Sequence, residues 1–127
     1  MPEVVIDASA LLTLLNAEPG ADVVAEALPG AAISTVNLSE VVAKLSSAGV
    51  PEKAIHQALQ PLGLEIVPFD EEQAYNAGLM RTATQDMGVS LGDRACLSLA
   101  RTLGVVALTA DRAWAGLSVG VTIKVIR

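Results

Sequence analysis

The sequence predicts an α/β domain with a central, mostly parallel sheet of four to five strands flanked by helices. Three observations carry that expectation. Short β-branched runs alternate with longer stretches of helical composition, the order that yields parallel strands joined by helical crossovers. Gly and Pro punctuate the junctions, at Pro19–Gly20, Pro29–Gly30, Gly49 and Gly104. The 127 residues contain no repeat, linker or low-complexity tract, so one domain spanning 1–127 is expected.

The elements follow in order. "VVID" (4–7) is a buried strand. "ASALLTLLNAE" is a helix that stops before Pro19, and "ADVVAEAL" a second, ended by Pro29. "AAIST" is the next strand, and "NLSEVVAKLSSAG" a helix closing at Gly49. Pro51 stands where a first-turn proline belongs, opening "PEKAIHQALQPLG". "LEIVPF" is a strand. Asp70 caps the long helix after it, with Gln73 at the capping-box distance. "SLGDRACLSLARTLG" is a helix stopped by Gly104. "VVALT" and "VTIKVI" close the chain as strands.

Composition narrows the function classes. Hydrophobic residues make up 52% and the mean hydropathy is +0.51, which argues against disorder. No apolar run reaches membrane-spanning length. "MPEVVID" has an acid and no basic region, unlike a signal peptide. A single cysteine, Cys96, forms no internal disulfide, so a soluble cytoplasmic protein is expected. So apolar a small domain also points to self-association. The net charge of −6 disfavours indiscriminate nucleic-acid binding.

In parallel α/β sheets, ligands bind beyond the carboxyl ends of the strands, so the residues there matter most. Asp7 ends the first strand, and Asp111 follows "VVALT" by two residues. Either one alone is as well read as a helix cap. Ser90 and Asp93 fit a capping box, yet the i+3, i+4 and i+7 neighbours of Asp93 are Cys96, Leu97 and Ala100, all apolar. A carboxylate on that side is costly unless paired, which favours a site over a cap. Glu40 lies early in its helix beside Val36, Val41 and Leu45, with Lys44 at i+4 as the partner of a possible surface ion pair.

Four acids gathered at one sheet edge would repel and raise one another's pKa. A hard divalent cation, Mg²⁺ or Mn²⁺, relieves that and suits oxygen ligands. Zinc is disfavoured because only His56 and Cys96 offer nitrogen or sulfur, and His56 reads as an ordinary helix residue. Arg94 and Arg112 sit beside Asp93 and Asp111, where they either reach phosphates at the rim or lie on solvated helix faces. Of three aromatic residues, Phe69 and Tyr75 read as core or interface. Trp114 is the best candidate for stacking on a base, although packing is the more common fate.

With "VIDASALL", "STVNLSEVVAKL", "SLGDRACLSLA" and "ALTADRAW" in this order, the chain resembles PIN domains, and most closely the VapC-type toxins of prokaryotic toxin–antitoxin pairs. The resemblance covers nearly the whole chain. It implies a metal-dependent ribonuclease using Mg²⁺ or Mn²⁺, with Asp7 and Asp93 as the firmest metal ligands, Glu40 as the third acid and Asp111 completing the set. It places Ser9 and Thr109 where a small hydroxyl orients an acid or a water. It also implies an RNA substrate, a homodimer and a cognate antitoxin, whose inhibitory segment the acidic pocket predicts to be basic.

Other readings of a strand-end Asp fit less well. Haloacid-dehalogenase-like enzymes need a second Asp where Ser9 stands, and receiver domains need an N-terminal acidic pair that is absent, with Lys124 falling in mid-strand. A partner-binding module that has lost catalysis and a DNA nuclease of PIN architecture are the alternatives kept open.

Overall fold

The computed structural model describes all 127 residues, Met1–Arg127. Five short strands form one sheet: β1 (Val4–Ile6), β2 (Ala31–Ser34), β3 (Glu65–Val67), β4 (Val106–Thr109) and β5 (Ile123–Val125). Their order is β3-β2-β1-β4-β5, and every neighbouring pair is parallel. The six helices are α1 (Ala8–Leu15), α2 (Ala21–Ala27), α3 (Thr35–Ser47), α4 (Glu52–Leu59), α5 (Glu71–Thr84) and α6 (Leu91–Leu103).

Alternation along β1 divides the core in two. Val4 and Ile6 face a layer with Leu11 of α1, Val24 of α2 and Val41 of α3. Val5 faces the other way, towards Met80 of α5 and Cys96, Leu97 and Ala100 of α6. β1 is buried along its whole length, as a central parallel strand covered on both faces must be.

Strand order decides where a site can lie. The chain moves from β1 to β2 and β3, then returns to the other side of β1 for β4 and β5. The connections therefore diverge between β1 and β4, and this opens a crevice at their carboxyl ends. Helix α6 leads into β4 and so runs back along the sheet, which brings its N-terminus to the same edge. Helix α3 packs against both α1 and α6 and closes that edge from the side.

Two local expectations are corrected. Pro51 is the N-cap of α4, in an extended conformation, not a residue of its first turn. Asp70 does cap α5 through Gln73 N at 3.0 Å. Gln73, however, does not return a bond to the cap. Its buried amide accepts from Ser98 Oγ at 2.8 Å and donates to Thr102 Oγ1 at 2.9 Å. The α5–α6 contact contains these polar groups, and satisfying them outweighs completing an exposed box. No helix is long and apolar enough to cross a membrane.

Candidate functional site

Asp7, Glu40, Asp93 and Asp111 line one pocket of about 280 Å³ at the carboxyl edge of the sheet, together with Ala8, Ser9, Leu12, Asn37 and Lys44. A larger pocket of about 370 Å³ opens around Glu3, Glu26 and Lys124, and none of these four acids lines it.

Asp7 forms the floor. It is 4% exposed and is the N-cap of α1, accepting from Ala10 N at 2.8 Å. Oδ1 also accepts from Ser9 Oγ at 2.7 Å, and Oδ2 from Thr109 Oγ1 at 2.6 Å. Thr109 ends β4, so this last bond ties the two strands that flank the crevice. Ser9 Oγ in turn accepts from Ala110 N at 2.9 Å. Both hydroxyls thus orient the acid. Burial pushes the Asp7 carboxyl above its ordinary value of 3.8. The donated hydrogen bonds oppose that shift, and the Asp93 charge adds to it less than burial does. The like-charge repulsion expected from the sequence is present at Asp7 but is not the main cause of its shift.

Asp93 serves as a cap and also lines the pocket. Its Oδ2 accepts from Ser90 N at 2.9 Å while Ser90 Oγ accepts from Asp93 N at 3.1 Å, a complete capping box. The apolar neighbours Cys96, Leu97 and Ala100 are fully buried, which turns the first turn of α6 towards the acids. Cys96 lies beneath them. Its thiol is pushed well above its ordinary value by burial first, then by the charges of Asp7, Asp93 and Glu40, which disfavours the thiolate form that a nucleophile or a metal ligand needs.

Glu40 and Asp111 form an exposed rim. Asp111 Oδ1 accepts from Ala113 N at 2.9 Å. Glu40 makes no ion pair with Lys44, since the two pairs present are His56–Glu52 and Arg127–Glu18. Its carboxylate instead accepts from Asn37 Nδ2 at 2.9 Å, and the same nitrogen donates to the Gly92 carbonyl at 2.9 Å. A Cβ at Gly92 would fall against the Glu40 carboxylate, so this glycine permits α3 to approach α6 closely.

Four hard oxygen donors suit Mg²⁺ or Mn²⁺ better than zinc. As placed, however, no three of the chain's His, Cys, Asp and Glu side chains stand close enough to hold one ion together. Convergence on a single pocket is met, but a closed ligand set is not. Like charges favour separation, and caps engage Asp7, Asp93 and Asp111 locally. The donor chemistry of four carboxylates fits the cation.

The predicted cations and rings are largely elsewhere. Arg94 does not line the pocket: its Nη1 donates to the Ala77 carbonyl of α5 at 2.9 Å, because α6 turns that side towards α5. Arg112 is exposed, with Nε on the Arg127 carbonyl at 3.2 Å, and lies outside the pocket lining. Trp114 is 1% exposed in the α5–α6 core and offers no face for stacking. Tyr75 is 67% exposed, which rules out the core but not the interface among the two places expected for it.

Two polar lining residues escaped the sequence reading. Lys44 is the one cation in the pocket wall and also lines an adjoining groove with Leu12, Leu45 and Arg127. Asn37 is 1% exposed. Its signal was an Asn one turn before Glu40 on the same helix face, a position where Asn is a weak helix former.

This arrangement defines the class: a parallel α/β domain with acids from β1, α3, α6 and the β4 exit around one crevice. The chain belongs to the PIN domain family, whose model matches residues 4–119. No curated protein matches the chain in sequence. Among solved structures it is similar to a DNA-bound VapBC from Salmonella typhimurium, at 20% identity and a TM-score of 0.78, with 100% of each chain covered. It is also similar to a toxin–antitoxin complex from Klebsiella pneumoniae, at 20% identity and a TM-score of 0.76, with 98% of each chain covered. For FitAcB from Neisseria gonorrhoeae the identity is 19% and the TM-score 0.71, with 94% of this chain and 95% of that chain covered.

Proposed function

We propose that the protein is a VapC-type toxin, a Mg²⁺- or Mn²⁺-dependent endoribonuclease of the cytoplasm held in check by a cognate antitoxin. The observation that carries this reading is the single pocket shared by Asp7, Glu40, Asp93 and Asp111 at the strand crossover of a PIN domain. Similarity to toxin–antitoxin complexes supports the toxin assignment.

Asp7 and Asp93 would be the principal ligands of the cation, with Glu40 and Asp111 completing the set. When bound, the cation supplies Lewis-acid polarisation of the scissile phosphate and acidifies a water. Ser9 and Thr109 keep the Asp7 oxygens aimed into the crevice. Glu40 or Asp111 takes the proton of the attacking water. The water oxygen forms a bond to phosphorus as the bond to the leaving oxygen breaks. Lys44 binds a neighbouring phosphate, replacing Arg94 in that role.

The acidic wall and the net charge of −6 favour a basic inhibitory segment on the antitoxin. Tyr75 and Leu79, one turn apart and strongly exposed on α5, support self-association as a homodimer.

The test is cleavage by antitoxin-free protein of matched RNA and DNA oligonucleotides. RNA cleavage with Mg²⁺ or Mn²⁺, abolished by EDTA and by Asp7→Asn or Asp93→Asn, is expected. Full activity in either variant refutes the ligand assignment. Preferential DNA cleavage replaces RNA as substrate, and no cleavage of either leaves a binding module.

A further inference from the structure

Asn37 is buried on α3, and its two polar atoms are used very unequally. Nδ2 makes two hydrogen bonds of 2.9 Å, to Glu40 Oε1 and to the Gly92 carbonyl. Both partners are acceptors, which fixes the orientation of the amide. Oδ1 is therefore the atom left over, and it is buried with no hydrogen-bond partner in the protein. A buried acceptor left unmatched is costly to the fold. The side chain carrying it lines the acid pocket. Gly92 supplies an independent observation: any side chain there would collide with Glu40, so α6 is shaped to receive this carboxylate.

We infer that Asn37 is a positioning residue of the acid pocket. Its amide nitrogen fixes the Glu40 carboxylate to the first turn of α6, beside Asp93. Its amide oxygen is reserved for a hydrogen-bond donor that enters the pocket, a water carried in with a divalent cation. An Asp at this position would repel both acceptors that Nδ2 now serves, whereas an amide donates to a carboxylate and a backbone carbonyl and still offers its own oxygen to the pocket. Glu40 is exposed and belongs to no ion pair, so this amide is its one anchor.

The inference rests on the metal-dependent reading, and its test separates the two. Asn37→Leu is close in size and can neither donate nor accept, and Asn37→Ser serves if the leucine variant does not fold. Mn²⁺ affinity is measured by calorimetry for wild type, each Asn37 variant, Glu40→Gln and the double variant, alongside metal-free Tm. Asn37→Leu is expected to weaken Mn²⁺ binding about tenfold, the usual effect of losing a group that orients a ligand. Adding Glu40→Gln should then cost much less than it does in wild type, because the two act as one unit.

Wild-type Mn²⁺ affinity in a folded Asn37 variant overturns the inference, as do fully additive losses. If wild type itself binds no Mn²⁺, the metal reading fails. The Asn37 inference is then decided by metal-free Tm: non-additive shifts from Asn37→Leu and Glu40→Gln uphold the clamp, and additive shifts end it.

Discussion

Asp7 and Asp111 leave adjacent parallel strands and line the same pocket, yet they live on different terms. Asp7 is buried and receives hydrogen bonds from Ser9, Ala10 and Thr109, one of which spans 102 positions of sequence. Asp111 is exposed, with Oδ1 on a backbone N–H two residues away. Asp93 stands between these extremes, half-buried and shared with its capping box. Glu40 sits at the rim on one amide. The pocket therefore has a buried floor, held by hydrogen bonds across the fold, and an exposed rim, held by a local turn at Asp111 and one amide at Glu40. Under the metal-dependent reading proposed above, the floor would fix the position of a cation and the rim would complete its ligand set.

Substitutions at floor and rim probe the division. The largest effect belongs to the floor. Asp7→Asn should lower RNA cleavage at least about 100-fold, beyond the loss typical of an orienting partner, as read in a single-turnover assay. The same variant should stabilise the metal-free protein near neutral pH. The Asp7 carboxyl is raised above 3.8 by burial, so its contribution to stability is fully present below that value and is lost as pH rises through the folded-state value. The Tm advantage of Asp7→Asn should therefore shrink towards zero as pH falls to about 4, near the ordinary Asp value. An advantage that grows on acidification contradicts the account of the floor.

Asp93→Asn and Ser90→Ala separate the two uses of the α6 terminus. Asp93→Asn should remove cleavage nearly as completely as the floor substitution. Ser90→Ala should cost about 1 kcal/mol of stability in urea unfolding, the usual worth of a helix cap, while most cleavage survives. Equal losses of cleavage in both would reduce Asp93 to a cap.

The rim cation comes next. Lys44→Ala should raise KM for RNA and flatten the salt dependence of binding by about one unit of slope, the signature of one lost phosphate contact, with kcat little changed. Arg112→Ala, outside the pocket, should change cleavage less than about twofold, the smallest effect, as befits a solvated surface residue. If Arg112 exceeds Lys44, the substrate path has been drawn on the wrong side.

The strands and the strand-end acids were legible because both follow from short-range chemistry. "VVI" and "VALT" are buried parallel strands by composition, and Asp7 and Asp111 are strand-end residues by position. The helix of Asn37 was also legible, but its role was not. Asn37 matters through Gly92, fifty-five positions away, and no local pattern reports that distance. Arg94 misled for the same reason. Its neighbour Asp93 faces the pocket, while one residue further around the helix points to Ala77 of α5. Trp114 took the fate the sequence already favoured, packing into the core instead of stacking. For Asp93 the sequence offers cap or site; the structure shows the capping box through Oδ2 together with a place in the lining of the acid pocket, so the two readings do not exclude one another.

The central claim is that the acid floor holds a divalent cation. Anomalous diffraction from crystals soaked in Mn²⁺ tests it directly. The account predicts a peak between Asp7 and Asp93, with Glu40 and Asp111 turned inward, and no such peak in Asp7→Asn. A pocket that stays empty under Mn²⁺ concentrations supporting RNA cleavage, or a peak bound elsewhere, would contradict it.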